Sequence, residues 1–423
     1  MLDMKRIRTD HEAVRKDLQR RKDPKLLAVL DELLERDKKW RALKNESDSI
    51  RHERNVISER INEAKKKGQD PKGIIAEAKE IPGRLKTIEE RMENVYESEL
   101  VPLLRRIPNF MHDLVPFGAS AEDNPTIKLW GDRPEFSFSI RNHVEIAESL
   151  GLVDFDASAT VAGNGFYFLK GDLAMLNQAL IRFAIDTMAK QGYQYVEPPL
   201  MVQRRILTAA MDTTGFDQTI YRVDGDDLCL IGTSEHAILG MLDGATLKET
   251  QLPMRLFAYS MCFRREIGSH GINEKGLWRT HQFNKVEMFA FTSPEQSWAL
   301  FDEMLGISED ILQALGLPYR IIECCTADLA IWKSRSFDLE VWRPTTGAYG
   351  EVMSLSNCLD FQARDLNIRF VRKDGAYEVA HTLNNTALAT SRIMVAILEN
   401  YQQEDGHVRV PKVLQQYMGK KVI

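Results

Sequence analysis

The sequence predicts an α+β protein in which an N-terminal helical hairpin precedes a larger mixed domain. Two stretches of the chain lead to this prediction. Apolar residues recur at heptad spacing within highly charged sequence from Leu26 to about Ala64, and again from Ile74 to Val95, which is typical of two helices that share a narrow seam. Between Met254 and Phe291, two alternating apolar runs flank a polar, Gly-rich connector, which is the pattern of a long β-hairpin.

Length and composition limit the possible classes of protein. A chain of 423 residues that is 43% hydrophobic can bury a large core and form two or more domains. None of the five cysteines stands in a Cys-x-x-Cys pair, so we expect neither a structural zinc nor a disulfide framework. The sequence shows no secretory signal and no apolar run of about 18 residues. We therefore expect a cytoplasmic protein with no membrane partner.

The charge of the helical hairpin differs from that of the rest of the chain. Residues 36–91 contain 16 Lys and Arg against 11 Asp and Glu, whereas the whole chain has a net charge of −6. A dimerisation strut or a spacer would show the same heptads, and charge runs are often only solvated faces. A basic outer face with few aromatic residues nevertheless favours recognition of the backbone and shape of a double-helical RNA. The basic residues of this face are Arg51, Arg54, Arg60, Lys65, Lys66, Lys67, Lys72, Lys79 and Arg84.

The predicted β-hairpin carries an unusual set of charges. Arg264 and Glu266 follow its first apolar run, and Arg279, Phe283 and Glu287 lie on the return, where alternation places them on one face. Two guanidiniums, two carboxylates and one ring would be costly in a core. They suit a site for an anion, a flat heterocycle and an amine, although an exposed hairpin with unrelated charges is the alternative.

Three further stretches contain candidate binding residues. The tripeptide 233–235, Thr-Ser-Glu, follows an apolar run. It either binds an ammonium or a small hydroxylated group, or it caps the next helix. The strand-like stretch 348–365 contains Glu351 and Ser354. Arg392 stands near the start of an apolar helix, where a guanidinium and backbone N–H groups would bind phosphate.

These motifs resemble those of a known enzyme class. Phe263-Arg264-x-Glu266 and the segment from Gly276 to Glu287 closely resemble the second signature motif of the class II aminoacyl-tRNA synthetases, and within that class the seryl-tRNA synthetases. The helix and strand of 173–196, followed by Pro198-Pro199, resemble the first motif, and residues 381–392 resemble the third. The resemblance covers nearly the whole chain.

The resemblance implies a domain organisation and an activity. Residues 1–108 would form a tRNA-binding domain with a coiled-coil hairpin at about 26–104. Residues 109–423 would form a class II catalytic domain, built on a mostly antiparallel sheet flanked by helices. The enzyme would be a homodimer that activates L-serine with ATP to seryl-adenylate. It would then transfer serine to the 3′ end of tRNA(Ser), bound through the arm, and to that of tRNA(Sec) where this is present.

The resemblance also implies roles for individual residues. The catalytic residues would be Arg264, Arg392 and Glu351. The ATP-binding residues would be Arg264, Arg265, Glu266, Arg279, Thr280, Phe283, Glu351, Val352, Met353, Ser354 and Arg392. The L-serine site would consist of Thr233, Ser234, Glu235, Glu287 and Thr386. Glu351 and Ser354 would hold Mg²⁺, but in a regular strand they face opposite sides, so this assignment needs a bulge or a twist there.

Two details and two alternatives complete the prediction. Thr386 stands in Asn-Asn-Thr, where many members of the family have Asn-Gly-Ser; its hydroxyl is kept, but its methyl group narrows the pocket. We interpret His236, His270 and His281 as structural residues.

Two alternative functions stay open. One is a ligase that loads an amino acid onto a carrier protein, but such a ligase would not need an RNA-reading arm. The other is a non-catalytic RNA-binding scaffold, but a scaffold would not need the charged residues Arg264, Glu266, Glu351 and Arg392.

Overall fold

A computed structural model describes residues 1–211, 217–266 and 275–423. They divide into two compact units, Leu2–Pro108 and Asn109–Ile423, the second of which includes Met1. Within the described ranges, no helix has both the length and the apolar character needed to cross a membrane. The cytoplasmic location stays a prediction.

The N-terminal unit is helical. Its helices are α1 (Met4–Thr9), α2 (His11–Arg20), α3 (Pro24–Lys66), α4 (Lys72–Asn94) and α5 (Val101–Arg106), with a π-helical turn at Val95–Leu100. Asp23 caps α3 by accepting a hydrogen bond from the Lys25 amide, and Pro24 occupies the first turn, where its missing N–H has no intrahelical partner to lose. This start signal, together with the turn after Lys66, sets the length of α3.

Helices α3 and α4 form the predicted antiparallel hairpin. Interhelical ion pairs run in opposite order along the two helices, since Arg51 pairs with Glu89, whereas Arg60 pairs with Glu77. The seam between the helices is apolar, as the heptads predicted. Its residues are Trp40, Leu43, Ile50, Ile57, Ile61, Ile74, Ala78, Ile81, Leu85, Ile88, Met92 and Val95.

The basic face of the hairpin consists of two kinds of residue. Arg51, Arg60, Lys67, Lys72 and Arg84 each form an ion pair with a carboxylate of the hairpin itself. Among the described residues, the exposed side chains of Arg54, Lys65, Lys66 and Lys79 form no ion pair. The face therefore contains cations that remain available to a polyanion.

The C-terminal unit is built on an eight-stranded sheet. In chain order, the strands of the whole unit, including those of its smaller sheets, are β1 (Thr126–Trp130), β2 (Val153–Asp154), β3 (Phe168–Leu169), β4 (Gln194–Tyr195), β5 (Met201–Gln203), β6 (Leu228–Leu230), β7 (Thr246–Lys248), β8 (Met254–Phe263), β9 (Gln282–Thr292), β10 (Tyr319–Glu323), β11 (Arg335–Arg343), β12 (Ala348–Leu359), β13 (Arg369–Val371), β14 (Tyr377–Val379) and β15 (His381–Ala389). The large sheet has the order β1-β10-β11-β12-β15-β9-β8-β4. Its pairs are antiparallel apart from β4 with β8, which confirms the predicted fold class.

Helices flank this sheet. They are α6 (His143–Ser149), α7 (Phe155–Ala162), α8 (Gly171–Lys190), α9 (Arg204–Ala210), α10 (Ser234–Met241), α11 (Ser297–Leu315), α12 (Phe361–Asp365), α13 (Thr390–Asn400) and α14 (Gln415–Met418). The apolar faces of α8, α11 and α13 pack with the inner face of the sheet into one large core. This core fixes the positions of the central strands, which carry most of the candidate residues.

Two local features of the sheet decide which side chains face the candidate site. The predicted hairpin is confirmed as β8 and β9, in which Ala258 pairs with Glu287 and Cys262 with Phe283. In the ladder of β11 with β12, Leu339 pairs with Met353 but Glu340 pairs with Glu351. Val352 is thus an extra residue, which confirms the predicted bulge.

Candidate active site

The candidate residues converge on one cleft over the central strands. Two adjoining cavities, of about 600 Å³ and about 90 Å³, lie between the end of β8, strands β9, β12 and β15, and the starts of α10 and α13. Among the residues that the structure describes, seven side chains line both cavities: Arg264, Glu266, Arg279, Lys285, Glu351, Thr386 and Arg392. A sheet face with this many charges is organised around a ligand rather than around a core.

One end of the cleft is rich in carboxylates and hydroxyls. Thr233, Glu235, Glu287 and Thr386 line the larger cavity, and the Thr386 hydroxyl donates to Glu287 Oε2 at 3.2 Å. Thr233 also caps α10, because its Oγ1 accepts a hydrogen bond from the Glu235 amide at 3.4 Å. The two interpretations of the tripeptide, as a cap and as part of a site, are therefore compatible.

Glu287 is already paired within the protein. Lys285 Nζ lies 2.6 Å from Glu287 Oε2, and the two side chains are only 8% and 2% exposed. A buried charge without a partner would be strongly destabilising, so this pairing stabilises the carboxylate inside the cleft. Lys285 was not among the predicted site residues. Its spacing of two from Glu287 along a strand would have placed it on the same face.

Glu235 lies in a network of amides. Its Oε1 accepts hydrogen bonds from Gln362 Nε2 at 2.7 Å and from Asn384 Nδ2 at 3.1 Å. Burial, together with repulsion from Glu287, raises the pKa of Glu235 to about 7, against the opposing effect of the Gln362 hydrogen bond. This carboxyl group therefore changes its charge near neutral pH.

The other end of the cleft is rich in guanidiniums. The Arg264 Cζ lies 5.3 Å from the centroid of the Phe283 ring, and Arg279 Nη1 lies 2.9 Å from Glu266 Oε2. Glu266 has a φ of 50°, a left-handed conformation that is uncommon outside glycine and that clusters at functional sites. Thr280 and Val352 also line the smaller cavity.

Arg392 connects the two cavities. It is the third residue of α13, and its Nη1 donates to the Glu351 carbonyl at 2.7 Å while lying 3.2 Å from Glu351 Oε2. Burial tends to raise the pKa of Glu351, but Arg392, with further contributions from Lys333 and Arg264, lowers it overall. Glu351 is therefore ionised at neutral pH and faces the cleft.

The residues predicted to hold Mg²⁺ fit an oxygen-ligated cation. The bulge at Val352 lets both Glu351 and Ser354 line the larger cavity, and carboxylate and hydroxyl oxygens are ligands that Mg²⁺ accepts. A second cation lies close by, because Lys333 Nζ donates to Ser354 Oγ at 3.3 Å. Asp338, opposite Ser354 in the ladder, has a pKa raised to about 6 by burial and by repulsion from Glu351. Sequence reasoning missed Lys333 and Asp338.

Three predicted residues do not present their side chains to the cleft. Arg265 is exposed and lines neither cavity, although its amide donates to the Thr219 carbonyl at 2.8 Å. Met353 is buried in the large core, on the opposite face of β12. Ser234 is fully buried and also lines neither cavity. These three side chains line neither cavity, and their contacts with ATP or serine stay a prediction.

Of the three histidines interpreted as structural residues, the structure describes His236 and His281. His281 Nδ1 lies 2.8 Å from the Arg264 carbonyl and 2.9 Å from the Tyr221 hydroxyl. His236 lines the larger cavity, but burial, together with Lys285 and Arg264, lowers its pKa to about 3, so its ring is neutral. His270 lies outside the described residues. The structural role of the three rings stays a prediction.

The sheet and the cleft together define a class of enzyme. The model for the tRNA synthetase class II core domain (G, H, P, S and T) matches residues 219–401, the part of the chain that forms most of the cleft. The model for the seryl-tRNA synthetase N-terminal domain matches residues 1–111. The chain is thus a class II aminoacyl-tRNA synthetase.

Similar proteins identify the family within this class. The serine–tRNA ligase of Methanocella arvoryzae is 45% identical over 99% of each chain, and that of Methanoregula boonei is 42% identical over 100% of this chain and 99% of its own. The crystal structure of seryl-tRNA synthetase from Pyrococcus horikoshii complexed with ATP superimposes with a TM-score of 0.93 at 39% identity, covering 100% of this chain and 99% of that one. The cytoplasmic serine–tRNA ligase from Naegleria fowleri in complex with AMP gives 0.85 at 32% identity, covering 98% and 96%. This chain belongs to the seryl-tRNA synthetase family.

Proposed function

We propose that this chain activates L-serine with ATP and transfers the seryl group to the 3′-terminal hydroxyl of tRNA(Ser). The observation that carries this proposal is the division of charge within one cleft. Buried carboxylates and hydroxyls line one end, and guanidiniums beside an aromatic ring line the other. An amine with a hydroxyl group suits the first end, and a nucleotide triphosphate suits the second.

At the acidic end, the serine ammonium would lie against Glu287 and Glu235, with Thr233 beside them. The serine hydroxyl would bond to the Thr386 hydroxyl, which is already oriented by its hydrogen bond to Glu287. A pocket that hydrogen-bonds a substrate hydroxyl rejects alanine, because binding alanine leaves buried polar groups unpaired. The methyl group of Thr386 reduces the space available and so contributes to the rejection of threonine.

At the basic end, adenine would stack on Phe283 with its amino edge near Glu266. Arg264 would contact the α-phosphate, where negative charge grows, and Arg392 the γ-phosphate. A carboxylate oxygen of serine attacks the α-phosphorus, and the bond to the bridging oxygen breaks, so that pyrophosphate leaves. No protein nucleophile is needed, since positioning and fixed charges lower the barrier.

Glu351 and Ser354 would hold Mg²⁺, which would neutralise charge on the phosphates when bound. The pairing of Glu351 with Arg392 keeps the carboxylate ionised before any ligand arrives. In the second step, the tRNA hydroxyl attacks the carbonyl carbon of the adenylate and AMP leaves.

The helical arm would bind the tRNA, and two chains would form a homodimer. The exposed cations without ion-pair partners on α3 and α4, Arg54, Lys65, Lys66 and Lys79, support the first proposal, because they can contact phosphates without breaking internal pairs. The similarity of residues 173–196 to the motif that lies at the dimer interface in the family supports the second.

One assay tests the proposed activity against its two rivals. Serine-dependent exchange of pyrophosphate into ATP is measured first, and charging of purified tRNA(Ser) is measured next. We expect both. Absence of exchange would favour a non-catalytic scaffold. Exchange without charging would favour a ligase that loads a carrier protein.

The role of the arm is tested by shortening it at a point the structure defines. Glu53 and Arg84 form an ion pair across the two helices, so a short turn can replace residues 54–83. We expect normal pyrophosphate exchange and charging reduced about a hundredfold, because phosphate contacts supply much of the affinity for nucleic acid. Charging at the full rate would contradict the proposed role.

A matched pair of variants separates phosphate contacts from fold stability. Alanine at the four unpaired cations should reduce the dependence of tRNA affinity on salt by about one unit of slope per lost contact. Alanine at Arg51, Arg60 and Arg84, which already pair with glutamates, should change this slope less. Equal changes in the two variants would show that the unpaired cations have no special role.

A further inference from the structure

A buried glutamine lies directly behind the acidic end of the cleft. Gln362, on α12, is fully buried and lines neither cavity. Its Nε2 donates to Glu235 Oε1 at 2.7 Å and to the Ala210 carbonyl at 2.8 Å. Its Oε1 accepts a hydrogen bond from the Thr382 hydroxyl at 2.7 Å. The side chain therefore contacts a proposed substrate-binding carboxylate but not the substrate.

These contacts fix the orientation of the amide. The Ala210 carbonyl can only accept a hydrogen bond, so Nε2 must face it, and the same nitrogen then faces Glu235. The hydroxyl of Thr382 satisfies the amide oxygen on the opposite side. A flipped amide would bring two acceptors together at Ala210 and again at Glu235. The network thus presents a donor to Glu235 and to the last residue of α9 at the same time.

We propose that Gln362 is a positioning residue for L-serine, which holds the Glu235 carboxylate in the orientation and the charged form that receive the serine ammonium. This inference rests on the proposed function, because it needs serine as the ligand of the acidic end. It means that the preference for a ligand with an amine depends partly on a residue that does not line the cleft.

The charges around Glu235 explain why such support is needed. Glu287 on β9 repels it, whereas Lys285 on β9 and Lys333 before β11 attract it. Cys358 on β12 faces it with a thiol whose pKa is raised by burial and by Glu235, so this sulfur is neutral. His236, its neighbour on α10, is also neutral. Burial and Glu287 together favour the protonated carboxyl group, and the Gln362 hydrogen bond opposes them.

Loss of this hydrogen bond would raise the pKa of Glu235 further above its value of about 7. At neutral pH a larger share of the chains would then carry a neutral carboxyl group, which attracts an ammonium less. Raising the pH would restore the charge, and with it the affinity for serine. ATP, which binds at the other end of the cleft, would be unaffected.

The test replaces Gln362 with methionine, which has a similar shape and no donor. Gln362→Met should raise the KM for serine in pyrophosphate exchange about ten- to hundredfold at pH 7, as expected for loss of a hydrogen bond to a charged group. The KM for ATP should stay within about twofold of wild type, since the substitution changes no contact at the end of the cleft proposed to bind ATP. The increase in serine KM should shrink as the pH rises towards 8.5.

Gln402→Met is the matched control. Gln402 is also buried, donates to the carbonyls of Arg141 and Glu399 at 3.0 Å each, and accepts a hydrogen bond from the Arg141 amide at 2.8 Å. It has no contact with the cleft, so its loss should lower the midpoint of thermal unfolding without a selective change in serine KM. An equal rise in serine KM in both variants, or an unchanged serine KM in Gln362→Met, would overturn the inference.

A second variant keeps the inference testable if Gln362→Met does not fold. Thr382→Val retains the glutamine but removes the hydrogen bond that orients it, and it should raise serine KM about threefold or more with ATP KM unchanged. An unchanged serine KM in this variant would also overturn the inference. Absence of serine-dependent exchange in the wild-type chain would instead refute the proposed function, so the two failures are distinguishable.

Discussion

The helical arm and the catalytic sheet place their charged residues in opposite surroundings. In the arm, Arg51 and Glu89 pair at the surface with 47% and 40% of their side chains exposed, over an apolar seam. In the sheet, Lys285 and Glu287 pair inside the cleft with 8% and 2% exposed. Surface pairs contribute about 0–1 kcal/mol to stability, whereas removing a charge from water costs several kcal/mol.

This difference shows where charge is informative about function. In the arm, charges keep the surface solvated and do little for the fold, so their pattern alone is compatible with a strut as well as with an RNA-binding surface. In the cleft, a well-packed apolar pair would stabilise the sheet equally well or better. Charges kept at that cost indicate a ligand with complementary charges. The following predictions test this contrast, beginning with the largest effect.

Arg392→Ala should nearly abolish adenylate formation. Removing one positioned donor from a transition state typically reduces the rate about 10²- to 10³-fold, and this guanidinium also holds Glu351 ionised. Pyrophosphate exchange measures the effect. Arg372→Ala is the control, because Arg372 forms ion pairs with Glu249 and Glu295 away from the cleft. Exchange near the wild-type rate in Arg392→Ala would remove Arg392 from the site.

Lys285→Met should destabilise the C-terminal unit by about 3 kcal/mol, because it leaves the buried Glu287 carboxylate without its partner. Serine binding should also weaken, because the carboxylate proposed to receive the ammonium would lose its contact with Lys285. Denaturant unfolding and serine-dependent exchange report the two effects. If the variant were as stable as wild type, the pair would not be an important contact of the folded sheet.

The value of kcat/KM for serine should rise with pH up to about 7 and then level off. The pKa of Glu235 is raised to about 7, so the free enzyme gains the negative charge that attracts the ammonium as the pH rises through that value. Below it, we expect about a tenfold change per pH unit, the slope of a single titrating group. The value of kcat/KM for ATP, measured at saturating serine, is the control. A flat serine profile between pH 6 and 8 would exclude Glu235.

Arg51→Ala should have the smallest effect, since an exposed ion pair contributes less than about 1 kcal/mol. Serine-dependent exchange should be unchanged, and the free energy of unfolding of the arm, followed by amide hydrogen exchange, should fall only slightly. Ile88→Ala, which removes an apolar side chain from the same seam, is the comparison and should cost about 2 kcal/mol or more. A larger loss of unfolding free energy in Arg51→Ala than in Ile88→Ala would show that surface ion pairs, and not the apolar seam, stabilise the arm.

Local pattern explains which parts of the molecule the sequence could predict. The apolar seam of the arm was predicted, because a heptad repeat depends only on neighbours along one helix. The hairpin of β8 and β9 was predicted from the alternation of apolar residues, which also depends only on neighbours along the chain. The irregularity at Val352 was expected because Glu351 and Ser354 had to face one way. The tripeptide at Thr233 had two interpretations from sequence, and the fold accommodates both.

The residues that sequence reasoning missed come from elements far apart in the chain. Gln362 and Asn384 reach Glu235 from α12 and β15, and no spacing in the sequence connects them. Lys333 precedes β11 and meets Ser354 only because β11 and β12 pair in the observed register. Conversely, Arg265 and Met353 lie beside site residues in sequence, but Arg265 is exposed beyond the end of β8 and Met353 is buried on the opposite face of β12. Tertiary pairing, which single-sequence patterns do not encode, decides these cases.

Val352 makes the chemistry of the cleft dependent on an irregularity of the backbone. If Val352 took a place in the ladder instead of bulging out of it, β12 would run in uninterrupted register along β11. Glu351 and Ser354 would then point to opposite sides of the sheet, and the oxygen pair would no longer exist. The bulge therefore brings two residues at an odd spacing onto one face, and the proposed oxygen pair depends on Val352 staying outside the ladder.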